Sequence, residues 1–366
     1  MKSRKSKTQE IYEFLKKEIS AGAYKEGELL PTDLQISEKF NASRPTVAKA
    51  VQRLVDENTL GRKAGYGTFV RKKLSTDNEA GQLTIGLLIP ALGETEIFEP
   101  ICGQIANLAD QYNFSLVWGG GGNILDKSSN SLIQQAEKYI SQNVDGVFFT
   151  PVELTPDAEE VNSKITRMFK AASIPVVLLD SDITSPPIKS EFDLIGINNV
   201  EAGFKIGCHL IERKCKKIGF ITKPNIAGTV HMRLIGLKES LSFNGLDSNS
   251  VEVFSLDESI DDFAKKLASH KGLDGLVACN DATAAELLVS LDSLGVKVPE
   301  KLKICAFDDV KYAKLLKTPL TTYRQPCRDI GTTAIETMIS RIKNPGMSAR
   351  KVLLHGELIV RDSTGG

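Results

Sequence analysis

The chain has 366 residues, too many for one small domain, and its 41% hydrophobic and 25% charged content is that of an ordinary soluble protein rather than a fibrous or collagenous one. Its 46 basic residues cancel its 46 acidic ones, yet residues 1–73 hold 16 Lys/Arg against 9 Asp/Glu, so the first part carries +7 and the rest −7. A basic small module ahead of an acidic larger one predicts a polyanion partner for the first part only.

Residues 8–60 read as helices: Ile11, Phe14, Leu15, Glu18 and Ile19 fall at helical spacing, followed by residues 34–40 and 47–60. Thr32 is placed to cap the second helix, with Gln35 bonding back. After a short turn at Asn41-Ala42, Ser43-Arg44-Pro45-Thr46-Val47 opens the third. Ser43 is its cap and Pro45 sits in the first turn, where a missing N–H costs nothing. Such a helix start presents hydroxyls, free amides and the Arg44 guanidinium outward. The amides can hold a phosphate, and a guanidinium can fork onto guanine O6 and N7. Val47, Val51, Leu54 and Val55 form the opposite, buried face. Gly65-Tyr66-Gly67-Thr68-Phe69-Val70 then reads as a ribbon whose glycines allow close approach to a groove or phosphate.

In this order, Leu-Pro-Thr-Asp, Ser-Arg-Pro-Thr-Val, Leu-Val-Asp-Glu-Asn and Gly-Tyr-Gly-Thr-Phe-Val resemble the winged helix of the GntR family. The resemblance implies double-stranded operator DNA as partner, contacted by Ser43, Arg44, Pro45, Thr46, Lys49, Gly65, Tyr66, Gly67 and Thr68. Ala48 stands where the family often has a basic residue, and the Arg often found near Leu34 is missing. The binding role therefore carries over and the operator sequence does not.

Residues 74–82 are polar and non-periodic, a linker. From 83 onward, short apolar strands alternate with helices, at 85–89, 115–118, 146–150, 176–180, 194–197, 217–222, 275–279 and 303–307. Strands apolar on both faces predict parallel sheets covered on both sides, in one wide sheet or two smaller ones. The Ser-Pro-Pro-Ile stretch at 185–188 is read as the passage between lobes. Several strands end in a polar residue, and such ends line the ligand crevice of open α/β sheets. Asp180, Asn280 and Asp308 sit there, with Arg233 read at the start of a helix. Carboxylates, an amide and a guanidinium suit a polyhydroxylated ligand. The bland alternatives are helix caps for Asp180 and Asp308, a turn for Asn280, and core packing for Phe98 and Trp118. The glycines at 119–122 lack a Gly-Lys-Ser/Thr ending and read as a rim loop.

Residues 83–366 resemble the sensor of LacI/GalR repressors, the fold of periplasmic sugar-binding proteins. The resemblance runs through Ile85-Gly-Leu-Leu-Ile-Pro90, Val144-Asp-Gly-Val-Phe-Phe-Thr-Pro151, Ile174-Pro-Val-Val-Leu-Leu-Asp180 and Gly196-Ile-Asn-Asn199-Val-Glu-Ala-Gly203. It continues through Asn280-Asp281, Ala306-Phe-Asp-Asp309 and Pro319-Leu-Thr-Thr-Tyr-Arg-Gln325-Pro326. It implies effector contacts at Phe98, Asp180, Arg233, Asn280, Asp308 and Gln325, with Glu153 beside them. A GntR reader on such a sensor is the arrangement of arabinose-type repressors. The 74–82 linker lacks the apolar residues of a LacI-type hinge helix, so coupling is expected through the placement of two reading heads in a homodimer.

The expectation is thus an α/β protein: a winged helix-turn-helix over 1–73, a linker over 74–82, and a two-lobed effector and dimerisation domain over 83–366. It is expected to be a transcription regulator, a repressor released by a small sugar, with a purine ligand or an activating role as the alternative. No G-x-S-x-G, H-E-x-x-H or Walker loop is present, and the four histidines have no metal spacing, so neither an enzyme nor a cofactor nor a metal is implied. The Lys-rich start lacks the apolar stretch of a secretory signal and no run is long enough to span a membrane, so a cytoplasmic location is expected. The six cysteines form no C-x-x-C pair and read as buried thiols.

Overall fold

The computed structural model describes residues 7–20, 23–24, 27–56, 59–63, 67–70, 82–90, 97–119, 129–185, 187–225 and 227–366. Gly65 and Tyr66, nearly all of the 74–82 linker and most of the 119–122 glycine run lie outside them. The chain divides into two compact units, Met1–Glu79 and Ala80–Gly366.

The first unit holds helices α1 (Lys7–Ser20), α2 (Asp33–Phe40) and α3 (Arg44–Asp56) and an antiparallel pair, β1 (Leu60–Lys63) and β2 (Gly67–Val70). Ile11 and Leu15 of α1, Ile36 of α2, and Val47, Val51 and Leu54 of α3 form one buried cluster with Leu60 and Val70 of the ribbon. The apolar stripe read from the sequence is therefore what binds helices to ribbon. Leu29 bridges to Phe69, extending the ribbon by a third short segment.

The second unit contains two six-stranded sheets. The first comprises β3 (Leu83–Leu88), β4 (Phe114–Trp118), β5 (Gly146–Phe149), β6 (Val176–Leu179), β7 (Asp193–Ile197) and β13 (Lys351–Leu354), in the order β13-β7-β6-β5-β3-β4 and all parallel. The second comprises β8 (Ile218–Thr222), β9 (Glu252–Ser255), β10 (Gly275–Val277), β11 (Lys303–Asp308), β12 (Thr321–Arg324) and β14 (Glu357–Ile359), ordered β14-β12-β11-β10-β8-β9, with only β14 antiparallel. Their connections include α4 (Phe98–Asn107), α5 (Ala109–Tyr112), α6 (Ser129–Ser141) and α7 (Ala158–Ala171) in the first lobe. Those of the second lobe include α8 (Asn199–Glu212), α9 (Gly228–Phe243), α10 (Ile260–Ser269) and α11 (Asp281–Ser293). Each lobe has its own apolar core, with Phe149, Phe169 and Leu178 in the first and Leu276, Leu287 and Ile304 in the second.

All eight strands read from the sequence are present, in two sheets rather than one. The passage between lobes is elsewhere than expected. Residues 185–188 connect β6 to β7, which pair in the same sheet, so that stretch stays within the first lobe. The chain instead crosses after β7 into α8, after β12 into α12 (Cys327–Lys343), and between β13 and β14. Helix α12 packs back on α4, β6 and β7. The Pro-Pro pair marked a bend, and a bend alone does not distinguish a loop within one sheet from a crossing between two. Among the described residues, no helix is long and apolar enough to cross a membrane.

Candidate functional site

In the first unit, the start of α3 is built as the sequence indicated. The capping box on α2 is formed: the Thr32 amide donates to Gln35 Oε1 at 2.8 Å and the Gln35 amide to Thr32 Oγ1 at 3.3 Å. Asn41, at φ 44° in the left-handed region, ends α2 and turns the chain. The Thr46 amide donates to Ser43 Oγ at 3.4 Å, and the two hydroxyls lie 2.8 Å apart. Ser43, Arg44, Pro45 and Lys49 are exposed and Thr46 half-buried. The neighbouring arginines are committed. Arg53 donates to Gln9 and lies over the Tyr12 ring, while Arg62 grips Asp33 at 2.6 Å and donates to Thr68 Oγ1 at 3.1 Å. Arg44 and Lys49 have no such partner among the described residues, so their charges face outward. The ribbon pairs Lys63 with Gly67, whose φ of +114° favours glycine.

In the second unit, a cleft opens at the carboxyl ends of both sheets. Its lining includes Phe98, Glu153, Asp180, Arg233, Asn280 and Asp308, six of the seven effector residues expected from the sequence. Asp180 follows β6 at φ 67°, with its amide bonded to Ile195 O at 2.9 Å. Gly196 makes this bend feasible, since a Cβ there would come within 3.0 Å of the Asp180 carbonyl. Asp308 ends β11 at φ 113°, followed by Asp309 at φ 52°. Two successive non-glycine residues with positive φ are strained, and here they are clamped. Asp309 takes Arg324 Nε and Arg361 Nη2 at 2.6 Å each. Neither Asp180 nor Asp308 caps a helix. Asn280 does cap α11, accepting from the Thr283 amide at 2.9 Å, which leaves its NH2 for the cleft.

Arg233 is the cation at the centre. It lies in the second turn of α9, not at a helix start, and is only 4% exposed. Gly203 of α8 and Gly236 of α9 let those helices touch backbone to backbone: a Cβ on Gly203 would fall 1.9 Å from Arg233 O, and one on Gly236 1.9 Å from Val200 O. So seated, Arg233 donates Nε to Asn199 Oδ1 at 2.9 Å and Nη1 to Cys279 O at 2.8 Å. Its Nη2 stands 3.7 Å from Asp308 Oδ1, and its guanidinium lies 4.4 Å from the Phe307 ring centre. Asn199 and Phe307 were not singled out from the sequence, although both lie within the stretches that carried the sensor resemblance.

Burial raises two of the cleft's carboxyls, Glu153 and Asp180. Burial, and then the nearby Asp180 charge, push Glu153 up to about 7 despite the Arg233 cation. Burial pushes Asp180 up to about 6, opposed by Arg233 and assisted by Asp308. Behind them, Asp281 is raised to about 8 by burial and by Asp308, while it accepts from Thr322 Oγ1 at 2.6 Å and from the Val310 amide at 3.0 Å. Two polar atoms of the lining, Thr150 Oγ1 and Asp180 Oδ1, are buried without a hydrogen-bond partner.

Gln325 departs from expectation. It does not line the cleft; it sits behind it on the crossing into α12, donating Nε2 to Asp308 Oδ1 at 2.8 Å. The resemblance that assigned it to the effector site does not tell which side of Asp308 it takes. Trp118 is 58% exposed and lies outside the lining. Cys102, Cys215, Cys279 and Cys305 are buried free thiols, while Cys208 and Cys327 are half-buried.

Comparison with known proteins agrees with both units. Residues 7–70 match the family of bacterial regulatory proteins of the gntR family, and residues 208–364 match the periplasmic binding protein-like domain. The HTH-type transcriptional repressor PurR of Vibrio vulnificus is 28% identical over 285 residues, 76% of this chain and 80% of that protein. The arabinose metabolism transcriptional repressor of Halalkalibacterium halodurans is 24% identical over 375 residues, 96% of each chain. The crystal structure of transcription regulator GntR from Chromobacterium violaceum superposes with a TM-score of 0.62 at 26% identity, covering 77% of this chain and all of that one.

Proposed function

We propose that this chain, with its match to gntR-family regulators over residues 7–70 and to the periplasmic binding protein-like domain over residues 208–364, is a transcriptional repressor whose hold on its operator is released by a small sugar. The observation that carries the sugar reading is the composition of the cleft. Among the described residues it has acceptors at Glu153, Asp180 and Asp308, donors at Lys223, Arg233 and Asn280, hydroxyls at Thr150, Thr222 and Thr229, and one aromatic ring, Phe98. Hydroxyls both donate and accept, and so can satisfy such a mixed lining. The similarity to an arabinose repressor along nearly the whole chain supports the same reading. The operator contacts are Ser43, Arg44, Pro45, Thr46 and Lys49 of the third helix, with Gly65, Tyr66, Gly67 and Thr68 of the wing. Gln325 belongs to the effector site through the hydrogen bond it gives Asp308.

In this reading the regulator is a homodimer on a two-fold operator, because two reading helices double the contacts. Switching occupancy from nearly full to nearly empty requires the sugar to favour one state by about 5 kcal/mol. The test is a thermal-shift screen of the full chain against pentoses, hexoses, deoxysugars and purines, followed by operator binding with and without the hit. A sugar hit that releases the operator supports the proposal. Stabilisation by purines alone moves the effector class, and a sugar that tightens operator binding reverses the sign.

A further inference from the structure

We infer that the buried hydroxyl of Thr322, backed by Asp281, positions Asp308 for the effector without touching it; this rests on the cleft being the effector site. Thr322 lies in β12, an interior strand of the second sheet, opposite Ala306 of β11. It and Asp281 are fully buried, and neither lines the cleft. A buried hydroxyl is costly unless it is bonded, and this one uses both of its capacities. It accepts from the Asp309 amide at 3.2 Å and donates to Asp281 Oδ1 at 2.6 Å, while Asp281 Oδ2 takes the Val310 amide at 3.0 Å. One hydroxyl and one carboxylate thus hold two successive amides of the loop that follows β11.

The first of those amides is the one that reaches Asp308. The peptide unit is planar, so the Asp309 N–H and the Asp308 carbonyl turn together, and pinning one pins the other. Asp308 at φ 113° and Asp309 at φ 52° are strained, and such residues persist only where their surroundings hold them. Arg324 and Arg361 hold Asp309 by its carboxylate, at 2.6 Å each. Those bonds fix a side chain, not the peptide plane that joins it to Asp308; the bond to Thr322 fixes the plane. The Asp308 carboxylate takes its direction from that plane, with Oδ1 2.8 Å from Gln325 Nε2 and 3.7 Å from Arg233 Nη2. Without the Thr322 hydroxyl the strained pair can relax, and the effector must then order the carboxylate at the expense of affinity.

The experiment uses full-length Thr322→Val, Thr322→Ser and Asp308→Ala proteins and the Thr322→Val/Asp308→Ala double variant, titrated calorimetrically with L-arabinose and D-ribose. Valine keeps the shape and removes the hydroxyl, whereas serine keeps the hydroxyl. The expected result is roughly tenfold weaker binding, in the valine variant, of the sugar that the wild type takes, largely recovered in the serine variant. In the Asp308→Ala background the same valine change should cost less than about threefold, because the group it positions is gone. Amide exchange across residues 306–312, measured without sugar, should rise in the valine variant and return in the serine one. A valine variant that melts lower but binds sugar as the wild type does overturns the assignment. So does an equal loss of affinity with and without the Asp308 carboxylate, which is what general weakening of the lobe would give, and so does unchanged exchange. All three leave the sugar reading intact. Failure of the wild type to bind either sugar overturns both.

Discussion

Arg233→Met removes the cation that, among the described residues lining the cleft, is buried, Lys223 being exposed, while keeping much of the side-chain volume. The change leaves Asn199 Oδ1 and Cys279 O without their donor and takes the positive charge away from Asp308, Asp180 and Glu153. Breaking a buried ion pair from one side costs about 3–5 kcal/mol. The lower end applies here, because Asp180 and Glu153 can take up protons and relieve part of the repulsion. The sign with pH follows from this. Arg233 lowers both carboxyls, so without it their folded-state pKa values climb further above the unfolded ones. A raised carboxyl pKa means that stability present at low pH is lost as pH rises through the folded value. The variant's deficit should therefore grow with pH, from about 1–2 kcal/mol at pH 5.5 to about 3 kcal/mol at pH 8. At about 2–4 °C per kcal/mol for a domain of this size, the loss at pH 8 is roughly 6–12 °C. Calorimetric melting of the sugar-free full chain at both pH values measures it. A variant that melts within about 2 °C of wild type at pH 8, or whose deficit shrinks as pH rises, refutes the view that Arg233 is the counter-charge of the cleft.

Arg44→Ala should weaken specific operator binding by about 1–3 kcal/mol, five- to 150-fold in fluorescence anisotropy, with the melting curve and sugar affinity unchanged because Arg44 is exposed. Asp308→Asn should give a protein that still binds the operator but needs at least about tenfold more sugar for release, since the proposed effector site would lose a charge-assisted hydrogen-bond acceptor. Gly203→Ala pushes a methyl into the Arg233 carbonyl, so α8 and α9 must separate. It should cost at least about 1–3 kcal/mol in denaturant melts and weaken sugar binding too, because Arg233 rides on that contact.

Much of this was legible from residue order, and the reason differs from site to site. Ser43 and Thr32 were readable because caps are local: the side chain bonds an amide three residues on, and the sequence contains both partners. Asp180 and Asp308 were readable because a parallel strand ends at one edge of its sheet, which fixes where its last residue lies. Arg233 was placed at the mouth of a helix, but it depends on two glycines on different helices, and only packing reveals that Gly203 and Gly236 face each other's backbones. Four strands were missed. The edge strands β9, β13 and β14 have no buried residues to mark them, and β12, buried over three of its four residues, carries two threonines where an apolar run would have signalled a strand.

The three crossings between lobes also bear on how the molecule can be made. Neither lobe is a continuous stretch of chain. The first sheet, begun at β3, acquires its last strand only with residues 351–354, after most of the second sheet has been laid down. Pairings of such long sequence separation are slow to form. A nascent chain emerging in order would hold the first lobe with an open edge beside β7, an exposed template for pairing with other chains, until α12 and β13 arrived. For the same reason no single cut yields an intact lobe, and shortening the chain by a few residues into β13 should damage the sheet begun nearly 270 positions earlier.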